Sequence, residues 1–103
     1  MAGKDLYIIQ SQVTGAVKVG RSDDAEQRLL QLQTGSPYTL RIILLAENKG
    51  WFEKITHSCL RKYQTRNKGG EWFQEESLGS IPDHIWEKAL PWYLEDPDWW
   101  KKA

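Results

Sequence analysis

The sequence has little of several residues that would place it in a specialised class of protein. Cys59 is the single cysteine among 103 residues, which excludes an internal disulfide framework and a cysteine-based zinc cluster. No apolar run approaches the roughly 18 residues of a membrane span, and residues 1–5 are too polar for a secretory signal. We therefore expect no membrane association and a reducing compartment, the cytoplasm or the nucleus.

Net charge is absent as well, because 14 Lys and Arg offset 14 Asp and Glu. The balance hides two unlike segments. Residues 1–70 hold 11 basic and 6 acidic residues, whereas residues 71–103 hold 3 basic and 8 acidic residues. A basic segment followed by an acidic tail is compatible with nucleic-acid binding by the first part, and chance patchiness of a solvated surface is the alternative.

Short apolar runs alternate with turn and capping residues through the first two thirds of the chain. Their lengths and spacing give the order strand, strand, helix, strand, helix. The predicted elements are, in chain order, strands over residues 6–9 and 16–20, a helix from residues 22–24 to Gly35, a strand over residues 40–46 and a helix over residues 51–63. This order predicts an α+β domain with a small three-stranded, mainly antiparallel sheet flanked by helices.

Local signals support both helices and the first turn. Thr14 and Gly15 supply turn chemistry between the first two strands. Asp23 and Glu26 have capping-box spacing at the start of the first helix. The second helix is expected to bury an apolar stripe at helical spacing. The members of that stripe are Phe52, Ile55, Cys59 and Tyr63.

The chain ends in an acidic extension with four tryptophans, namely Trp86, Trp92, Trp99 and Trp100. Ser80 is predicted to cap a short helix over residues 84–90 that stops near Pro91. We interpret the tryptophans as a lid packed on the domain, and an exposed patch for a partner is the alternative. The predicted division is a domain over residues 1–78 and a helical extension over residues 79–103 packed on it.

Five polar side chains stand where burial alone does not demand them: Tyr7, Lys18, Arg28, Glu53 and His57. A hairpin would bring Tyr7 and Lys18 side by side on neighbouring strands. Arg28 lies beside the apolar stripe of the first helix. Glu53 and His57 are four residues apart, which puts them on one face of the second helix.

The types and order of these residues resemble the GIY-YIG endonuclease superfamily, and most closely its short branch in phage and microbial DNA-binding proteins. The resemblance covers about residues 5–75. Its motifs are Tyr7-Ile8-Ile9, Lys18-Val19-Gly20-Arg21-Ser22, the run from Arg28 to Pro37, Glu53 with His57, and Gly70-Glu71-Trp72-Phe73. It implies a phosphodiesterase that cuts DNA with one divalent cation, Mg²⁺ or Mn²⁺.

The resemblance also implies a role for each matched residue. Glu53 would hold the metal ion, with Glu71 as the alternative ligand; one carboxylate suits a Mg²⁺ ion that keeps several waters. Arg28 would brace the scissile phosphate with its planar, charged guanidinium group. Glu53 is favoured over Glu71 by its place on a helix.

The remaining matched residues would handle protons. Tyr7 would orient or deprotonate the attacking water. A neutral phenol is a poor base, so a neighbouring cation must favour the phenolate, and Lys18 is the expected cation. His57, one turn after Glu53, would exchange a proton or bind the phosphate.

Few basic residues remain for binding DNA phosphates: Arg21, Arg61, Lys62, Arg66 and Lys68. So small a number predicts weak, salt-sensitive binding to DNA, with a homodimer or a protein partner supplying specificity. The sequence therefore favours a DNA endonuclease. The alternatives are a catalytically weak or inactive DNA-binding module of the same fold, and a protein-interaction domain that uses the tryptophan-rich tail.

Overall fold

The computed structural model describes residues 3–65 and 72–102. A four-stranded antiparallel sheet in the order β3-β1-β2-β4 forms its centre, and helices pack on both faces. The strands are β1 (Asp5–Ser11), β2 (Val17–Ser22), β3 (Leu40–Ala46) and β4 (Trp72–Phe73). The α-helices are α1 (Ala25–Thr34), α2 (Glu53–Leu60), α3 (Asp83–Trp86) and α4 (Pro91–Glu95).

The α+β class and the strand and helix order predicted from the sequence are confirmed. The sheet has one more strand than expected, because residues 72 and 73 pair with Val17 and Lys18 to form β4. The 3₁₀ helix Gly50–Phe52 precedes α2 directly, and the 3₁₀ helix Arg61–Tyr63 follows it. No helix in the described residues is long and apolar enough to span a membrane.

The strand β1 supplies side chains to two separate apolar layers, because successive residues of a strand point to opposite faces. Leu6 and Ile8 pack in the layer beneath α2 and the C-terminal segments, which we call the α2 face. Tyr7 and Ile9 pack in the layer beneath α1, which we call the α1 face. The central strand is therefore buried on both sides.

A bulge explains the continuous apolar run in β3. Ile8 pairs with Leu44, whereas its neighbour Ile9 pairs with Ile42, so β3 has one extra residue at this point. The extra residue, Ile43, lies in the same buried layer as Leu44. Two consecutive apolar residues thus serve one face, which a regular alternation would not allow.

The buried stripe of α2 differs from the predicted one. Thr56 and Leu60 are buried, whereas Ile55 is 47% exposed and Cys59 is exposed. Burial of Thr56 is tolerated because its hydroxyl donates a 2.9 Å hydrogen bond to the carbonyl of Phe52. Burial was expected for the apolar residues at helical spacing, and this prediction was wrong for Ile55 and Cys59.

Helix starts also differ in detail from the expected ones. Asp24 caps α1, accepting a 3.0 Å hydrogen bond from the backbone N–H of Gln27, so the predicted pairing of Asp23 with Glu26 is replaced by this bond. In the tail, α3 begins after Pro82 without a side-chain cap from Ser80. Pro91 does not simply stop a helix; it occupies the first turn of α4, where its missing N–H costs nothing.

The C-terminal segments cover the outer edge of β3. The N–H of Leu90 donates to the carbonyl of Ile43 at 2.8 Å, and the N–H of Leu45 donates to the carbonyl of Lys88 at 3.3 Å. Backbone groups of an edge strand are thereby bonded within the chain. The division of the chain at residue 78 stays a prediction.

Two tail tryptophans are anchored to the sheet by hydrogen bonds. Trp99, 7% exposed, donates from Nε1 to the buried Gln10 amide oxygen at 2.7 Å. Trp92 donates from Nε1 to the carbonyl of Ile42 at 3.1 Å, and the Arg41 guanidinium lies 3.5 Å from the centre of its ring. These side chains pack on the α2 face of the sheet.

Candidate functional site

The candidate site forms along residues 19–21 of β2, which we call the β2 edge. β1 pairs with these residues on one side, whereas on the other side β4 pairs only with Val17 and Lys18 in the described part of the chain. Three of the predicted site residues contact the β2 edge, each at a different position: Tyr7, Glu53 and His57.

Tyr7 reaches the β2 edge across the surface of β2 on the α1 face. It stands directly opposite Gly20 in the β1–β2 register and is 2% exposed. A Cβ atom added to Gly20 would overlap the Tyr7 hydroxyl and ring. Gly20 has no positive φ, so glycine is required here for the close approach of the phenol and not for a turn.

His57 reaches the β2 edge from the α2 face. Its Nε2 lies 2.7 Å from the carbonyl oxygen of Val19. Since a carbonyl can only accept, Nε2 carries a hydrogen, which leaves Nδ1 as the acceptor whenever the ring is neutral. The ring also packs edge-on against Phe73, with centroids 5.4 Å apart, so its orientation is fixed from two sides.

Glu53 lies one turn before His57 on α2, as the spacing of four residues predicts. Its carboxylate oxygen is 3.9 Å from Nε of Arg21, and its side chain is 22% exposed. The Arg21 side chain is 51% exposed, so this long ion pair is weakly held and solvent can reach the carboxylate.

Lys18 belongs to the Tyr7 side of this site. It pairs with Ile9 while Tyr7 pairs with Gly20, so the two side chains are diagonal neighbours on the α1 face and not the directly opposed pair that the sequence suggested. Lys18 is 4% exposed.

Arg28 is placed differently from the other predicted residues. It lies on the exposed surface of α1, the helix that packs on the α1 face, and its Nη1 donates a 3.2 Å hydrogen bond to Oε1 of Gln31. Glu53 and His57 lie across the sheet from it. The structure brings Tyr7, Glu53 and His57 to the β2 edge, and it leaves Arg28 on the flank of α1.

The predicted DNA-contacting residues are distributed around α2. Arg21 lies at the β2 edge, and Arg61 and Lys62 are exposed in the 3₁₀ helix that follows α2. Arg66, Lys68 and the alternative metal ligand Glu71 lie outside the described residues. Cations thus accompany Glu53 and His57 on the α2 side.

Comparison with protein families identifies this domain. The sequence model of the T5orf172 domain matches residues 5–93, well over half of the chain. The chain belongs to the T5orf172 domain family. No significant match to a curated protein or to a solved structure was found. The family indicates a phage-type domain that is nuclease-like or DNA-binding.

This finding overturns the resemblance to the GIY-YIG superfamily, because the family that matches is the T5orf172 domain and no GIY-YIG model matches. The residues behind the resemblance have general structural reasons in this T5orf172 domain. Residues 7–9 lie in a buried central strand. Position 20 holds glycine because the ring of Tyr7 lies against it. A three-residue motif that strand burial and close packing can explain is a weak marker of a superfamily.

Two features of the T5orf172 domain were missed by reasoning from its sequence. The carbonyl of Val19 orients His57, and no sequence signal marks a backbone acceptor. The contact between Gly20 and Tyr7 did have a signal, since a glycine inside an apolar strand often marks the close approach of another group.

Proposed function

We propose that this T5orf172 domain is a divalent-metal-dependent DNA endonuclease whose centre is the β2 edge. The observation that carries the proposal is that Glu53 and His57 from the α2 face and Tyr7 from the α1 face contact three successive residues of one strand. A phenol, a carboxylate and an imidazole are the groups that bind a hard cation and move protons in phosphodiester hydrolysis.

The residues of the β2 edge fit a divalent cation that is held by few protein ligands. Residues 3–65 and 72–102 contain no group of three or more His, Cys, Asp or Glu side chains that would chelate a metal. Mg²⁺ commonly uses one or two carboxylates together with substrate phosphates and water. Glu53, with its solvent-accessible carboxylate, is the proposed ligand. The chemistry that such an ion supplies when bound is relief of negative charge on the phosphate.

The side chains around Gly20 and Val19 would move the protons. Hydrolysis requires that water attack phosphorus, that the bond to the leaving sugar oxygen break, and that this oxygen gain a proton. In the neutral ring of His57, Nδ1 would accept the proton that the attacking water loses and would then donate it to the leaving oxygen, because Nε2 is committed to the Val19 carbonyl. The hydroxyl of Tyr7 would orient the water, with Lys18 stabilising negative charge on the phenol oxygen.

DNA phosphates would be bound by the exposed guanidinium and ammonium groups near the β2 edge. Arg21 is adjacent to Gly20 and could leave its long contact with Glu53 to bind a phosphate oxygen. Arg28 would bind phosphate from the α1 side, and Arg61 and Lys62 would extend the contact along α2. A small number of such contacts predicts affinity that falls steeply with salt.

Nicking of supercoiled plasmid tests the proposal. Purified protein should nick plasmid in Mg²⁺ or Mn²⁺ and not in EDTA. Glu53→Gln keeps the size of the side chain but removes its charge, and it should lower the nicking rate by roughly 100-fold or more. Glu87→Gln is the matched control, because Glu87 is exposed in the tail, and it should cut like wild type. Equal nicking by Glu53→Gln and wild type would refute the proposed site.

A DNA-binding module without hydrolysis is the second candidate, and the 3.9 Å contact between Arg21 and Glu53 favours it. In that role the carboxylate would hold the guanidinium in position for a phosphate. The outcome that selects this candidate is a gel shift of DNA at low salt by wild type, without nicking in either metal. A tail-based protein interaction is less favoured, since Trp92 and Trp99 bond to the sheet.

A further inference from the structure

A cavity of about 510 Å³ lies at the end of the α1 face that is closest to the β1–β2 turn. That turn, the C-terminal half of α1 and the side chains of Tyr38 and Trp72 form its walls. Leu32 and Leu40, which also line it, belong to the same buried layer as Tyr7. We call it the Tyr38–Trp72 pocket, and its volume lies in the range of small-ligand sites.

Two contacts connect this pocket with the residues of the proposed site. Trp72 pairs directly with Lys18 between β4 and β2, so the two side chains share the α1 face. Gln31, which also lines the pocket, accepts a 3.2 Å hydrogen bond from the guanidinium group of Arg28. A cation therefore stands beside the pocket, and the pocket opens on the face that carries Tyr7.

The walls combine flat aromatic surface with hydrogen-bond donors. Tyr38 is 50% exposed and Trp72 is partly buried, so ring surface is open to a ligand. Ser11, 8% exposed, accepts from the N–H of Val13 at 3.1 Å, and within the described residues its own hydroxyl hydrogen stays available to donate. The amide nitrogen of Gln31 is a second donor, because the oxygen of that amide is used by Arg28.

We propose that the Tyr38–Trp72 pocket binds one unpaired nucleobase of a DNA strand whose adjacent phosphate is bound by Arg28. The inference rests on the DNA-binding part of the proposed function. Every nucleobase is flat and aromatic, so it stacks on exposed rings whatever its identity. Its carbonyl and ring-nitrogen acceptors match the donors of Ser11 and Gln31. A phosphate group alone would use neither the rings nor the depth of the pocket.

The test compares two short DNA duplexes of equal length. One carries a single unpaired 2-aminopurine, and the other carries 2-aminopurine in a normal pair. We expect wild type to bind the first duplex more tightly by on the order of tenfold and to quench its 2-aminopurine fluorescence by stacking. Tyr38→Ala should remove most of this preference, while Tyr38→Phe, which keeps the ring, should retain it. Trp51→Ala is the control, since Trp51 is an aromatic residue with 60% exposure outside the pocket.

Each outcome of the comparison decides the proposal. Equal affinity for the two duplexes without quenching would overturn the nucleobase site and leave the endonuclease proposal intact. A preference that survives in Tyr38→Ala would also overturn it. Failure to bind either duplex at low salt would overturn the nucleobase site together with the DNA-binding function on which it rests.

Discussion

The contact between Tyr7 and Gly20 allows the first prediction to be worked out from the structure. In Gly20→Ala the new Cβ would overlap the Tyr7 hydroxyl and ring, and its distance to Cε1 would be 2.9 Å. Because Tyr7 is 2% exposed, its ring has little space to move. Overpacking of this kind costs about 1–3 kcal/mol. We therefore expect Gly20→Ala to lower the free energy of unfolding by about that amount.

The same substitution should behave oppositely when the ring is absent. In a Tyr7→Leu background the overlap is removed, and Gly20→Ala should then be neutral or stabilising by about 0.4–1 kcal/mol, through the lower entropy of the unfolded chain. The effect of Gly20→Ala should thus differ between the two backgrounds by at least about 1 kcal/mol, a coupling typical of residues in contact.

Urea unfolding followed by tryptophan fluorescence measures the four free energies of this cycle. On this account, position 20 requires glycine because the phenol of Tyr7 approaches it so closely. An equal cost of Gly20→Ala in the wild-type and Tyr7→Leu backgrounds would refute that assignment, because the penalty would then have a source other than the Tyr7 ring.

Three further predictions concern the turn and the tail. Gly15→Ala should lower the free energy of unfolding by roughly 2–4 kcal/mol in urea titrations, because φ is +73° and the new Cβ would lie 2.6 Å from the Trp100 ring; an unchanged midpoint would contradict this. Burial raises the pKa of Tyr93 to about 12 from 10.0. The unfolded chain therefore loses this proton first, so up to about 3 kcal/mol of stability should disappear between pH 10 and 12, and Tyr93→Phe should flatten that loss in pH-dependent unfolding. Trp99→Phe leaves the Gln10 amide oxygen without its 2.7 Å donor and should cost about 1–3 kcal/mol by thermal or urea unfolding, whereas a loss below the error of the measurement would contradict the role of this bond.

The predicted strands and the first helix follow from local sequence patterns. Residues 40–46 were predicted as a strand and form β3 over the same residues, since a continuous apolar run has the length of a buried strand. The bulge at Ile43 has no local signal, because it depends on how β3 pairs with β1. Pro91 shows the same limit in the tail: its chemistry suits both the end of one helix and the first turn of the next, and α4 begins there.

The sequence predicts part of the geometry around the candidate site, whose function stays a proposal. The spacing of Glu53 and His57 placed them on one helix face, which the structure has. Which strand that face meets depends on the packing of α2, whose buried stripe runs through Thr56 and Leu60. A hydroxyl that bonds within its own helix can be buried at little cost, and periodicity of apolar residues does not reveal it. The pocket beside Arg28 was missed because its walls come from three separate segments.

The most direct test of the β2 edge as a hydrolytic centre is the plasmid-nicking rate of Tyr7→Phe in Mg²⁺, measured beside its affinity for DNA. The substitution deletes the single oxygen atom that lies against Gly20 and keeps the buried ring. The proposal predicts a rate lower by roughly 100-fold at unchanged affinity. Nicking by Tyr7→Phe at the wild-type rate would contradict it.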